Sequence, residues 1–149
     1  MAVTSDTSKL AATIVALLAK LRAEDNLEKD GVQISDGVPG EPADEMICIR
    51  GATDWSQEWV GIASGTKPKE ESFGLQLYIR VLMGRGSNDL ARARAFYLLG
   101  IIEDALRNDP EITNTVWVSS FSRGEYVNAN SGNHAEAQLH LTVDCRARI

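Results

Sequence analysis

The chain has 149 residues and a mass of 16.2 kDa, which is one ordinary domain and too little for two cores. A chain of this size buries about 70% of the surface its unfolded form exposes, so it needs no disulfide or metal staple, and 44% apolar with 24% charged residues excludes wholesale disorder. Fifteen bases against 21 acids give a net charge of −6, which argues against a nonspecific nucleic-acid binder, because such binding needs clustered cations to release phosphate counterions.

The first predicted element is a helix. Leu10, Ile14, Leu17, Leu18 and Leu21 recur at helical spacing. Asp6, Thr7 or Ser8 can cap its start, since a short oxygen side chain accepts an orphan backbone N–H. Lys20 and Arg22 complement the dipole in its last turn. Its longest apolar run, Ala11 to Ala19, is interrupted by Thr13 and too short to span a bilayer. Met1 to Ser8 lacks the basic start and small-residue cleavage pattern of a signal peptide, so synthesis in the cytosol is expected.

An acidic stretch follows. Glu24, Asp25, Glu28, Asp30, Asp36, Glu41, Asp44 and Glu45 are opposed only by Lys29, so residues 24–45 carry −7 and the rest of the chain +1. This is either a solvated loop region or a docking surface for a basic partner. Within it, Gly31 opens a short strand, Val32 to Ser35, and Asp36 to Pro42 is a turn-rich connection. Met46 to Arg50 is a second strand, ended by Gly51 and Asp54. Trp59 to Ile62 is a third, short one, and Gly65 to Lys69 is a polar loop. The clearest strand is Glu70 to Met83, where Phe73, Leu75, Leu77, Ile79 and Val81 alternate with Ser72, Gly74, Gln76, Tyr78 and Arg80. That is the pattern of a sheet covered on one side.

Gly84-Arg85-Gly86-Ser87 breaks the strand, and a long helix spans about Asp89 to Arg107, capped by Ser87 or Asn88. Leu90, Ala93, Tyr97, Ile101 and Leu106, with Phe96, Leu99 and Ile102, form a broad apolar face. Asn108 caps the end, and Pro110 prevents continuation. Two strands finish the chain. Thr113 to Ser120 is one. Ala135 to Ala147 is the other, with Leu139, Leu141, Val143 and Cys145 on one face and Gln138, His140, Thr142 and Asp144 on the other. Ser122 to His134, rich in Gly, Asn and Ser, reads as a loop. The expected fold is α+β, in the order α-β-β-β-β-α-β-β, with one mostly antiparallel sheet and two helices packed on one face.

Catalytic signals are sparse. His134 and His140 are the only histidines, and no close set of further ligands accompanies them; zinc prefers three or four. Cys48 and Cys145 fall in no CxxC or CxxH spacing and read as buried free thiols. Cys145 has the opposite strand parity from His140, so the two form no dyad within that strand. Gly84-Arg85-Gly86-Ser87 lacks the lysine and second half of a phosphate loop. Trp55 and Trp59, beside Asp54 and Glu58, could stack on a sugar; the commoner role of such a pair is to anchor a strand entry against a core. Neither a nucleophile elbow nor a catalytic carboxylate pair is visible, which points to a structural or interaction protein.

The layout as a whole resembles the tail terminator (minor tail protein U-like) family of long, non-contractile tailed bacteriophages. The resemblance is carried by the opening Leu-rich helix, Val32-Gln33-Ile34-Ser35-Asp36-Gly37 and Trp55-Ser56-Gln57-Glu58-Trp59 with Gly61. It continues through Glu70-Glu71-Ser72-Phe73-Gly74-Leu75, the helix from Ala91 to Phe96 ending Ala105 to Pro110, and the closing Leu139 to Ile149. It runs from about Leu10 to Ile149 and lies in the order and spacing of these stretches rather than in any one of them.

The resemblance implies a non-enzymatic virion protein at the head-proximal end of the tail. It would form a hexameric ring that caps the tail tube, stops its polymerisation and meets head-completion proteins. Its expected partners are copies of itself, the major tail tube protein and a head-completion or stopper protein; no cofactor, metal, membrane or sequence-specific nucleic acid is expected. A ring needs two unlike surfaces. Glu41, Asp44 and Glu45 on one side and Arg80, Arg85, Arg92 and Arg94 on the other are candidates. Lys67 and Lys69 in the loop Ile62 to Glu70, and Arg123 in the stretch Ser122 to His134, are candidate contacts to tube or head. The alternatives are a head–tail stopper and a small α+β enzyme or ligand-binding domain using Asp54, Glu58 and His140.

Overall fold

A computed structural model describes residues 7–28, 30–60 and 68–149. Asp6, Lys29 and the stretch 61–67 with Lys67 lie outside the described residues, as does most of the expected loop Ile62 to Glu70 and the end of the expected strand Trp59 to Ile62. The elements are α1 (Leu10–Arg22), α2 (Asp25–Glu28), β1 (Gln33–Asp36), β2 (Glu45–Trp59), β3 (Lys69–Gly84), α3 (Asn88–Asn108), β4 (Val118–Ser131) and β5 (His134–Arg148). The fold is α+β. Its five-stranded sheet has the order β1-β2-β3-β5-β4. β1 runs parallel to β2, and every other pairing is antiparallel.

The alternation in β3 and β5 does what period two dictates. Phe73, Leu75, Leu77, Ile79 and Val81 pair across with Cys145, Val143, Leu141, Leu139 and Ala137, and all ten are buried. This face meets Leu17, Leu18 and Leu21 of α1 and Ala91, Ala95, Leu98 and Ile102 of α3 in one core. The helices therefore cover one face and leave the other bare of helix. Lys20 Nζ, 2.9 Å from Asp109 Oδ2, ties α1 to the end of α3. The four-residue α2, unforeseen in the sequence, is pinned by fully buried Leu27. Among the described residues, no helix is long and apolar enough to cross a membrane.

Several boundaries differ from the sequence reading. Gly51 and Asp54 do not end a strand. They sit at two register shifts inside β2, at φ 150° and 52°, so the expected second and third strands are one bent strand. Three strands, not four, therefore lie between α2 and α3. The expected loop Ser122 to His134 is mostly strand, because β4 pairs with β5 out to Ser131 and the chain reverses at Gly132-Asn133. The expected strand Thr113 to Ser120 begins only at Val118.

The connection before β4 is a tight left-handed turn. Ile112, Thr113 and Asn114 have φ of 45°, 54° and 60°, a region that disfavours L side chains. Buried Ile112, the Thr113 N–H donated to Asp109 Oδ2 and the Thr115 hydroxyl donated to the Ile112 carbonyl hold it. The αL conformation costs a non-Gly residue roughly 1–2 kcal/mol, and glycine's extra unfolded-state entropy returns roughly 0.5–1 kcal/mol. Exposed Thr113→Gly is therefore expected to raise the melting temperature by about 2 °C. Asn114→Gly should gain less, because Asn tolerates this region. Differential scanning calorimetry checks the order of the two.

Candidate functional site

Three surfaces outside the core carry unusual chemistry. The first is the end of the sheet where β2 finishes and β3 begins. Glu71 occupies a core-facing position of β3 and is fully buried. Its Oε1 accepts the Lys9 backbone N–H at 2.7 Å, and its Oε2 accepts the Trp55 indole N–H at 2.7 Å and the Gln57 side-chain N–H at 2.8 Å. Gln57 also donates to the Thr7 carbonyl. Burial by itself pushes the Glu71 carboxyl up; hydrogen bonds from Ser8, Trp55, Gln57 and Lys9 outweigh it and hold the group below its ordinary value. Glu71 is thus an anionic cap at the start of α1, where the helix dipole favours negative charge.

The tryptophans of this end correct the expected core anchor. Trp55 is 55% exposed and Trp59 63%. Trp55 is held at its rim, by the indole N–H donated to Glu71, and Trp59 on its face, by the Lys69 ammonium 4.5 Å from the ring centroid. Trp117, the chain's remaining tryptophan, is 47% exposed. It leads into β4 at the same end of the sheet, its backbone N–H donated to the Arg146 carbonyl and its ring under the Arg148 guanidinium.

The second surface is the bare face of the sheet. Arg80 pairs with Glu136 at 3.2 Å, and Gln138 donates to the same carboxylate oxygen at 2.7 Å. Arg50 Nη1 lies 3.3 Å from His140 Nδ1. A guanidinium can only donate, so Nδ1 accepts and the ring proton sits on Nε2, facing Gln138 Oε1 at 3.4 Å. The Tyr78 ring packs against His140 in a tilted contact, centroids 4.8 Å apart and planes 41° apart. Beneath this polar layer Met46 and Cys48 are buried. Burial pushes the Cys48 thiol up and the Cys145 thiol to about 12, Asp144 adding to the latter, so neither is a nucleophile at neutral pH. A depression of about 450 Å³ on this face is lined by Arg50, Gln76, Arg123, Glu125 and His140.

The third surface is the outer side of α3. The expected broad apolar face is wider than the sheet covers. Ala91, Ala95, Leu98, Ile102, Ala105 and Leu106 face the core, while Leu90, Ala93, Phe96 and Tyr97 are exposed. Ser87 caps the helix with its backbone carbonyl, not its side chain.

The candidate contact residues divide accordingly. Arg94 and Glu45 do not mark opposite flanks; they meet within one chain, with Nε–Oε2 at 2.7 Å, and Asp30 is 3.3 Å from the same guanidinium. Arg80 is engaged by Glu136 and Lys69 by Trp59. Glu41, Asp44, Arg85, Arg92 and Arg123 are exposed. Asp54, Glu58 and His140 do not converge: His140 lines the depression above, Asp54 a hollow with Asp144 and Arg146, and Glu58 another with Glu70 and Glu71. Among the described residues, no three His, Cys, Asp or Glu side chains cluster closely enough to hold a metal ion.

Sequence reasoning missed Glu71, Arg50, Glu136 and the exposure of the tryptophans. Glu71 had a visible signal: it is the one carboxylate at a core-parity position of the β3 alternation. No family model matches this chain, and no curated protein matches it.

Proposed function

We infer that this chain is a structural subunit of tail-terminator type. It closes with copies of itself into a ring, caps the tail tube of a long-tailed phage and offers a surface to head-completion proteins. The observation that supports this reading most is the exposure of all three tryptophans at one end of a protomer whose core is already complete. Tryptophan is costly to leave in water and is enriched at the centres of protein interfaces. Trp55 and Trp59 lie on one side of that end and Trp117 on the other, as a head-to-tail ring contact requires. The order and spacing of the terminator-like stretches add to it.

Deleting the gene from its native phage is expected to leave tails of uncontrolled length, scored by electron microscopy. Tails of normal length that merely lack heads would replace this reading with that of a head–tail stopper.

A further inference from the structure

The two free margins of the sheet match one another. β1 pairs with β2 only along Met46–Ile49. Among the described residues, no strand pairs with the outer edge of β2 from Gly51 to Trp59. At the opposite margin β4 pairs with β5 alone. Natural proteins blunt such edges with proline, lysine or a bulge; neither proline nor lysine occurs in Gly51–Trp59 or in Trp117–Arg123, and each stretch is only locally interrupted by a bulge.

The two stretches are also level. Register across the sheet places Ser120 opposite Asp144, Asp144 opposite Gly74 and Gly74 opposite Thr53. Val118 reaches Ser56 in the same way, through Arg146 and Ser72. Their directions suit each other too. β2 and β5 both run antiparallel to β3, and β4 runs antiparallel to β5, so β4 points opposite to β2. A neighbour rotated about an axis along the strands therefore brings its β2 antiparallel to this β4, the more stable pairing. Charge completes the match. Gly51–Trp59 carries Asp54 and Glu58 and no base; Trp117–Arg123 carries Arg123 and no acid, while exposed Asp144 and Arg146 of β5 beside it offset each other.

We propose that copies of this chain join edge to edge, the Trp117–Arg123 stretch of one pairing antiparallel with the Gly51–Trp59 stretch of the next, to give one sheet continuous through the assembly. The occupant of each edge is a second copy, because the complementary edge is built into every protomer. The contact is heterologous, so repetition closes a ring or extends a filament. The bulges at Asp54 and between Phe121 and Arg123 divide the joint into short ladders. This inference rests on the ring reading above and specifies its joint.

The test is disulfide trapping in the full-length protein. Ser120→Cys is combined in turn with Thr53→Cys, Ser56→Cys and Glu58→Cys, which share a face of β2 and sample the pairing register. Within one chain β2 and β4 are three strand spacings apart, roughly 14 Å, beyond the about 7 Å a disulfide spans. The native thiols are buried. Any new bridge therefore joins two chains. A ladder of linked species is expected from at least one double variant and from no single variant.

Hydrogen exchange on the unmodified protein provides the second measurement. Amides in 52–59 and 118–123 should slow at least ~10-fold as concentration rises through the association midpoint. Rings in electron micrographs with no trapping and no slowed exchange would overturn the edge pairing and leave the ring reading standing. Trapped open chains without rings would uphold the pairing and overturn the ring. No trapping up to about 1 mM protein, where even a contact of −4 kcal/mol is populated, would overturn the pairing outright.

Discussion

Replacing Glu71 by Gln is expected to cost about 3 kcal/mol of folding stability and to lower the melting temperature by roughly 6–12 °C. The carboxylate is fully buried and gathers donors from Lys9, Trp55 and Gln57. Gln offers one acceptor oxygen, and its amide N–H groups face donors they cannot satisfy. With the Gln oxygen kept on Trp55 and Gln57, the Lys9 N–H would lose its acceptor and face an amide N–H instead, and α1 would lose its anionic cap.

The pH dependence separates this account from simple packing damage. The Glu71 carboxyl is held below its ordinary value of 4.5. Its contribution is therefore complete above that value and is lost as pH falls through the lowered native pKa. The gap between wild type and Glu71→Gln, measured by urea unfolding, should narrow as the solution is acidified below about pH 4.5. A gap that stays constant would remove the carboxylate's charge as the cause.

Trp59→Ala is expected to weaken self-association about 30-fold or more while moving the melting temperature by no more than about 2 °C. A central interface tryptophan contributes about 2 kcal/mol or more, and Trp59 is 63% exposed, so the folded protomer loses little with it. Trp55→Ala should behave differently, because removing the indole N–H also strips a donor from Glu71. It should lower both stability and association. Sedimentation velocity paired with thermal unfolding reads the two quantities apart. An association constant unchanged by Trp59→Ala would take that ring out of the interface.

What could be read beforehand depended on how local its cause was. The alternation of Phe73 to Val81 and of Ala135 to Cys145 is a property of neighbouring residues, and both strands and both buried faces follow it. Gly51 and Asp54 resemble strand ends in isolation; only pairing with β3 on both sides of them turns the interruptions into bulges. The Gly, Asn and Ser content of residues 122–134 favours a loop, and the ladder with β5 overrides it.

The outer side of α3 misleads for a related reason. Helical period identifies apolar positions without saying how much of the circumference a neighbour covers, so Leu90, Phe96 and Tyr97 look like core and lie outside it. The pairing of Arg94 with Glu45 joins residues 49 positions apart and follows from topology alone. Since Glu45 is committed to that pair, the acidic flank open to a partner contracts to residues such as Glu41 and Asp44.

The one-sided placement of the helices has a geometric consequence. A belt closed through its margins has an inner and an outer circumference, and the thicker layer fits the longer one. Helices are about 10 Å across, so in such a collar α1 and α3 would lie on the outside, and the lumen would be walled by residues such as Gln76, Tyr78, Gln138 and Thr142. Arg80 is already neutralised there by Glu136. Arg50 and Arg123 stand exposed on the same face beside Glu125, so such a lumen would present cations and anions side by side rather than a charge of one sign.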